Sequence, residues 1–166
     1  NDSNPVHIKQ AEQDLQSLTP QVRGVVGDEI TMMLQQNEGH IAVVWSGVAA
    51  PLVQDGDTYD YVVPKEGSNL WFDNMVIPKT AQNKEGAYQF INFLLDAKNN
   101  KQNTEWVGYA TPNKAARNLL PNNIKNDPRF YPTQKEQKHL EVYKDLGEKT
   151  LGEYNESFLN FKMSLK

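Results

Sequence analysis

The stretch Ile41-Ala42-Val43-Val44-Trp45-Ser46-Gly47 decides the fold class. Four consecutive apolar residues, bounded by Gly39 and Gly47, read as a strand buried on both faces, as in a parallel sheet. Ser46-Gly47 then opens a short helix to about Val53. Trp45 therefore stands at the C-terminal end of the expected strand, the edge where open α/β sheets take their ligands. An aromatic plug packed under the next helix accounts for Trp45 equally well.

On the N-terminal side, Asn4-Pro5 is a helix start, a capping side chain followed by proline in the first turn. Ile8, Ala11, Leu15 and Leu18 follow at helical spacing, and the helix ends near Pro20. Val22–Val26 reads as a short strand. Asp28 caps a second helix carrying Ile30, Met33 and Leu34, expected to stop at Gly39. On the C-terminal side, Asp55-Gly56-Asp57 is a turn, Tyr59–Val63 a strand closed by Pro64-Lys65-Glu66-Gly67, and Leu70–Ile77 another strand ended by Pro78. Asn83 caps a helix in which Ala87, Phe90, Ile91, Leu94 and Leu95 form one broad apolar stripe. Gly108 ends the next helix and Asn113 starts another. Residues 121–132, rich in Pro, Asn and Asp, read as a surface connection. Leu151, Tyr154, Phe158 and Phe161 mark a final amphipathic helix. Strands alternating with helices give an α/β fold with a mixed sheet flanked by helices. With only about four strands visible, the chain reads as part of a larger α/β protein.

Composition narrows the function. The 166 residues carry a net charge of −4, 38% hydrophobic and 23% charged side chains, enough for a packed core and without the basic footprint of a nucleic-acid binder. There is no cysteine, which removes disulfides, thiolate metal sites and cysteine nucleophiles. No run approaches the roughly 20 apolar residues of a membrane span. The opening residues show no basic start followed by an apolar run, so no signal peptide is read there. A chain opening on Asn1 is expected to be a piece of something longer.

Trp71-Phe72-Asp73 is the most informative triplet. In a strand, positions i and i+2 share a face, with Cα atoms roughly 6.5–7 Å apart. An indole beside a carboxylate suits an alkyl diamine, because the carboxylate pairs with an ammonium and the ring covers the methylenes. A core tryptophan beside a surface or capping aspartate has the same spacing. Tyr109, in Gly108-Tyr109-Ala110-Thr111-Pro112-Asn113, is either a ligand contact or an ordinary packed loop tyrosine. An enzyme would need paired carboxylates from Asp55, Asp57, Asp60 and Asp73. His7, His40 and His139 are scattered without metal-ligand spacing, and neither a phosphate loop nor a Gly-x-Ser-x-Gly elbow occurs.

Several segments together resemble one family. They are Ile41–Gly47, Tyr61-Val62-Val63-Pro64-Lys65-Glu66-Gly67, Trp71-Phe72-Asp73-Asn74-Met75-Val76-Ile77-Pro78 and Asn83-Lys84-Glu85-Gly86-Ala87. The match runs on through Phe90–Leu95 to Val107-Gly108-Tyr109-Ala110-Thr111-Pro112-Asn113-Lys114-Ala115-Ala116. In order and spacing they resemble the spermidine/putrescine-binding proteins of bacterial polyamine ABC importers, and the chain resembles their C-terminal half. The resemblance implies part of a two-lobed, type II periplasmic-binding-protein fold. Residues of about 1–60 and 130–166 are expected mostly in one lobe, about 70–128 in the other, with 59–70 crossing the hinge. It implies polyamine contacts at Trp45, Trp71, Asp73 and Tyr109, with Asp73 taking an ammonium; Asp28, near the family register without matching it cleanly, and Tyr143 are further candidates. Tyr143 departs from the pattern, standing where the family often presents an amide or acid. The implied role is non-catalytic and cofactor-free. The protein would capture polyamine outside the cytoplasm, in a periplasm or as a Gram-positive surface lipoprotein, and pass it to a membrane permease. Another small cation, a sugar, or a purely protein-interacting role are the alternatives. The family's N-terminal half has no counterpart here, so this chain is expected to bind ligand weakly, or to oligomerise or domain-swap.

Overall fold

A computed structural model describes residues 1–54, 56 and 58–165. The chain divides into two compact units, residues 1–42 with 141–166, and residues 43–140. The lobe boundaries expected from sequence lay near 60–70 and 128–130.

In the first unit, helix α1 (Pro5–Ser17) starts as the sequence requires, with the Asn4 side chain accepting from the Val6 N–H and proline at the first position. It packs on the long C-terminal helix α9 (Gly147–Ser164). The face of contact is not the expected one. Ile8 and Phe161 are buried, but Ala11, Leu15, Leu18, Leu151 and Phe158 are exposed. Glu12 takes the buried position instead, at 4% exposure. Its carboxylate accepts from Lys9 at 2.7 Å and Gln16 at 3.2 Å, both on α1, and the Ser157 and Asn160 side chains of α9 help to hold its pKa down. A carboxylate leaves water only where donors replace it, and Lys9 and Gln16 supply them, with Ser157 and Asn160 of α9 adding to them. The two helices therefore meet along a partly polar seam, and their more apolar faces are left outward.

The second helix, α2 (Ile30–Gln35), begins one residue later than the expected cap allows. Glu29 holds the cap position without a side-chain bond, and Asp28 lies in the preceding turn, exposed. The helix ends before Gly39, because Asn37 already takes a left-handed φ of 58°. Asparagine tolerates that conformation through its short polar side chain.

The second unit holds α3 (Ser46–Gln54), β1 (Ser68–Leu70), α4 (Lys84–Leu95), α5 (Ala97–Val107), α6 (Lys114–Leu119), and the single-turn helices α7 (Asn122–Lys125) and α8 (Gln134–Gln137). Helix α5 packs against α4 and α6. Asn83, Asp96 and Asn113 cap α4, α5 and α6 with their side chains. Ala49, Ala50, Leu52, Ala116 and Leu120 form the buried core.

The expected strands are mostly absent as hydrogen-bonded strands. Among the described residues the only sheet is two-stranded, β1 with β2 (Leu140–Val142). Val22–Val26, Ile41–Val44 and Tyr59–Val63 carry no ladder. Of the expected strand Leu70–Ile77, only Leu70 belongs to one, as the last residue of β1, and Trp71–Ile77 is irregular. Yet burial alternates along 41–45 and along 59–63 with the two-residue period of a strand. Ile41 and Val43 are essentially fully exposed. These segments have strand character without a neighbour to complete the ladder, and a strand is defined by its partner's hydrogen bonds.

Candidate functional site

Three aromatic side chains meet in the second unit. The Trp71 ring is the one shared by both contacts, meeting Trp45 and Tyr109 each in a T-shaped pair. Both centroid separations are 5.5 Å, with interplanar angles of 75° and 77°. Such T-shaped pairs place the positive edge of one ring against the negative face of the next. Trp45 remains half-exposed, at 51%, while Trp71 and Tyr109 are partly buried.

Each ring is set by its local backbone. The Trp45 carbonyl accepts from the N–H groups of Val48 and Ala49, at 3.0 and 3.1 Å. Trp45 thus stands at the mouth of α3 and is tied to the helix by its first hydrogen bonds. Trp71 directly follows β1, and β1 is placed by the Pro64–Gly67 turn. Gly67 N–H closes that turn on the Pro64 carbonyl at 3.0 Å. Its φ is +114°, and a Cβ there would lie 2.4 Å from the His139 carbonyl oxygen. Only glycine lets the chain pass so close to residue 139, where the Ser68 N–H donates to the same carbonyl at 3.4 Å. Tyr109 follows Gly108, which ends α5 in the left-handed conformation at φ 72° and donates its N–H to the Thr104 carbonyl, the usual use of glycine past a helix end.

The loop after Tyr109 is pinned from three directions. Thr111 is buried. Its N–H donates to the Tyr131 hydroxyl at 3.1 Å, and its Oγ1 donates to Asn100 Oδ1 at 2.6 Å. Asn113 Nδ2 donates to the Leu95 carbonyl at 2.8 Å. Tyr131 is in turn covered by the Arg117 guanidinium, 4.1 Å from its ring centre.

Asp73 is exposed and, among the described residues, forms no ion pair or hydrogen bond. It is not in a strand, because β1 ends at Leu70; the shared-face argument for Trp71 and Asp73 therefore loses its geometric basis. Asp28 and Tyr143 both belong to the first unit and are exposed. Tyr143 is bracketed by Asn1, whose Nδ2 donates to the Val142 carbonyl at 2.7 Å and whose Oδ1 accepts from the Lys144 N–H at 2.9 Å.

Of the acidic residues an enzyme would need, Asp55 and Asp57 lie outside the described residues. Asp60 is engaged otherwise. Arg129 Nη1 donates to it at 3.0 Å, while the rest of that guanidinium grips Asp127 through Nε at 3.0 and 3.1 Å and Nη2 at 2.7 Å. The Arg129 hydrogen bonds hold both carboxyls below their usual range, opposite to the direction a general acid at neutral pH requires. Among the described residues, no group of three His, Cys, Asp or Glu side chains is placed to hold a metal. What sequence reasoning missed is the glycines as makers of the site. From sequence alone Gly67 and Gly108 read as punctuation. The signal was available in Pro-Lys-Glu-Gly and Gly-Tyr, where each glycine lies close before an aromatic residue of the cluster.

Comparison with known proteins bears on this arrangement. Residues 1–133 match the model of the family described as bacterial extracellular solute-binding protein. The spermidine/putrescine-binding periplasmic protein of Escherichia coli K12 is 39% identical over 147 residues, 89% of this chain and 42% of that protein. The putrescine-binding periplasmic protein SpuD of Pseudomonas aeruginosa is 32% identical over 165 residues, 96% of this chain and 45% of that protein. Among solved structures, a putative spermidine/putrescine ABC transporter protein from Listeria monocytogenes is 52% identical, with a TM-score of 0.91. That match covers 98% of this chain and 50% of that one. The spermidine/putrescine substrate-binding protein PotD of Streptococcus pneumoniae is 46% identical with a TM-score of 0.86, covering 100% of this chain and 51% of that one. The chain thus spans about half the length of the relatives it matches, and its fold is that of a portion of a periplasmic binding protein. With most of its length matched by the family and by these structures, the chain belongs to the bacterial extracellular solute-binding proteins.

Proposed function

We propose that the whole protein captures a linear polyamine of the spermidine or putrescine type outside the cytoplasm and delivers it to the permease of an ABC importer. The observation that carries this reading is the row formed by Trp45, Trp71 and Tyr109, with the exposed carboxylate of Asp73 two residues beyond its central ring. At neutral pH a polyamine carries about two or three ammonium groups, each with a pKa near that of a lysine amine. These charges are separated by methylenes. Indole and phenol faces cover methylenes and attract the cations, and a carboxylate fixes the position of one ammonium. The relatives' names support the same ligand class and an extracytoplasmic location. Binding and release make and break no bond, so the reading is of a carrier and not a catalyst. It needs neither metal nor cofactor, and a net charge of −4 offers nothing to nucleic acid.

Thermal-shift titration tests the reading on the whole protein, at whatever length its gene encodes, with spermidine, putrescine and a neutral sugar as separate arms. A ligand that binds only the folded state raises Tm. Spermidine or putrescine should raise it, and Asp73→Asn should remove most of that rise. No shift with either amine from a folded protein overturns the polyamine reading and leaves the solute-binding family with another ligand. A shift only with the sugar gives that ligand its class.

A further inference from the structure

We propose that Gly47 is a positioning residue for the aromatic row: the side chain it lacks fixes where Tyr109 stands against Trp71. A Cβ built on Gly47 would lie 2.3, 2.4 and 2.5 Å from Cε2, Cδ2 and Cζ of Tyr109. Those separations are far inside contact distance. Gly47 is itself buried near the start of α3, so the phenol ring lies flush against the helix backbone. No other atom comes as near as these three ring carbons.

Tyr109 has little freedom to retreat. The Trp71 ring packs on it at 5.5 Å. On its N-terminal side, Gly108 is docked just as closely, since a Cβ there would be 3.0 Å from Ala50 Cβ and 3.2 Å from the Gly47 carbonyl oxygen. Pro51, inside α3, lacks the N–H that would otherwise bond the Gly47 carbonyl in the helical pattern. On its C-terminal side, Thr111 is held by Tyr131 and Asn100. A methyl group at position 47 must therefore displace the phenol ring, and with it the ring's contact with Trp71, or break this anchoring. The residue at 47 sets the spacing of the row and so, given the polyamine reading above, how a ligand chain is accepted along it. Gly47 would touch no ligand; it acts through Tyr109.

Stability gives a sign test that needs no ligand. Gly47 lies in a helix without the positive φ that would demand glycine, so alanine there should stabilise if nothing blocked it. In the whole protein, Gly47→Ala should lower Tm and alter the near-ultraviolet circular dichroism of the coupled tryptophans. In a Tyr109→Ala background, the same Gly47→Ala should raise Tm. With spermidine or putrescine, Gly47→Ala should weaken binding by about tenfold, the size of an overpacking penalty, and should weaken it no further once Tyr109 is alanine. If Gly47→Ala fails to fold while Gly47→Ala/Tyr109→Ala folds, the contact is supported. The proposal is overturned if Gly47→Ala raises Tm in both backgrounds, or if it fails to fold in both. A wild-type protein that binds no amine would sink the polyamine reading alone, and the sign of the Tm change would still decide the role of Gly47.

Discussion

Arg129 reaches back 69 residues to Asp60, donating from Nη1 to Oδ1 at 3.0 Å, while it holds Asp127 through Nε and Nη2. Beside this ion pair the Tyr61 and Phe130 rings stack at 5.8 Å, 3° from parallel. Next along the chain, the Tyr131 hydroxyl accepts from Thr111. Residues 129–131 thus fasten two distant segments of the second unit by three different kinds of contact.

This arrangement has a pH signature. Arg129 lowers the carboxyl pKa of both Asp60 and Asp127 below their ordinary value of 3.8. A carboxyl depressed in the folded state contributes stability above its unfolded pKa, and that contribution is lost as pH falls through the folded value. Stability from this pair should therefore be intact above about pH 4–5 and decline below it. Arg129→Met should lower Tm by about 2–4 °C at pH 7 and flatten the decline between pH 4 and the most acidic range where folding persists. Asp60 is largely exposed, so added salt should diminish its share more than that of Asp127. Thermal melts across pH and salt would check this, and an unchanged acid limb in Arg129→Met would refute it.

Glu12 should behave as a structural carboxylate of the α1–α9 seam. Its hydrogen bond from Lys9 comes first among the influences that lower its pKa, with Ser157 and Asn160 adding to it. Glu12→Gln preserves the shape and some of the bonds, whereas Glu12→Ala removes the acceptor from a partly buried hydrogen-bonded cluster. Urea midpoints should fall in the order wild type, Glu12→Gln, Glu12→Ala. Equal midpoints for all three would show that the seam does not depend on this group.

Gly67→Ala should be costly because it faces two obstacles together. The position has φ +114°, and a Cβ would meet the His139 carbonyl oxygen at 2.4 Å. The expected loss is about 2 kcal/mol or more in denaturant unfolding. A change in tryptophan emission should accompany it, because β1 sets the place of Trp71. Gly152→Ala provides the control, since a Cβ there meets nothing within 4 Å and the site lies inside α9; it should stabilise slightly.

The 166-residue chain by itself should associate with copies of itself. Ile41 and Val43 are almost wholly exposed, and Val62 and Val76 largely so, in segments with strand-like sequence and no ladder. Unpaired edges of this kind pair with other chains. Light scattering should report a mass above the 18.9 kDa of one chain, and Val43→Lys should move it toward that value. A monomer at all accessible concentrations would disprove it.

Much of this protein is legible without coordinates, because some decisions are local. Asn4, Asn83 and Asn113 cap helices as their sequence positions indicate, and Gly108 ends α5 in the left-handed conformation, since capping depends on atoms only a few residues apart. The sequence also singles out Trp45, Trp71 and Tyr109, and the structure brings these three rings together. Two other kinds of feature were not legible. Strands at 41–44 and 59–63 depend on partners elsewhere, so their composition signals strand character while the ladder is missing among the described residues. Periodicity points the apolar stripes of α1 and α9 inward, yet Glu12 holds the buried place, its carboxylate kept in hydrogen bonds by Lys9 and Gln16 of its own helix. The sequence by itself determined the helix ends, the turn glycines and the inventory of aromatic rings, all matters of short-range sterics and hydrogen bonding. Only the tertiary structure decided that the Tyr109 ring lies flush on Gly47, far away along the chain, and that Arg129 joins Asp60 to Asp127, because such contacts depend on how distant segments pack and no local pattern encodes them.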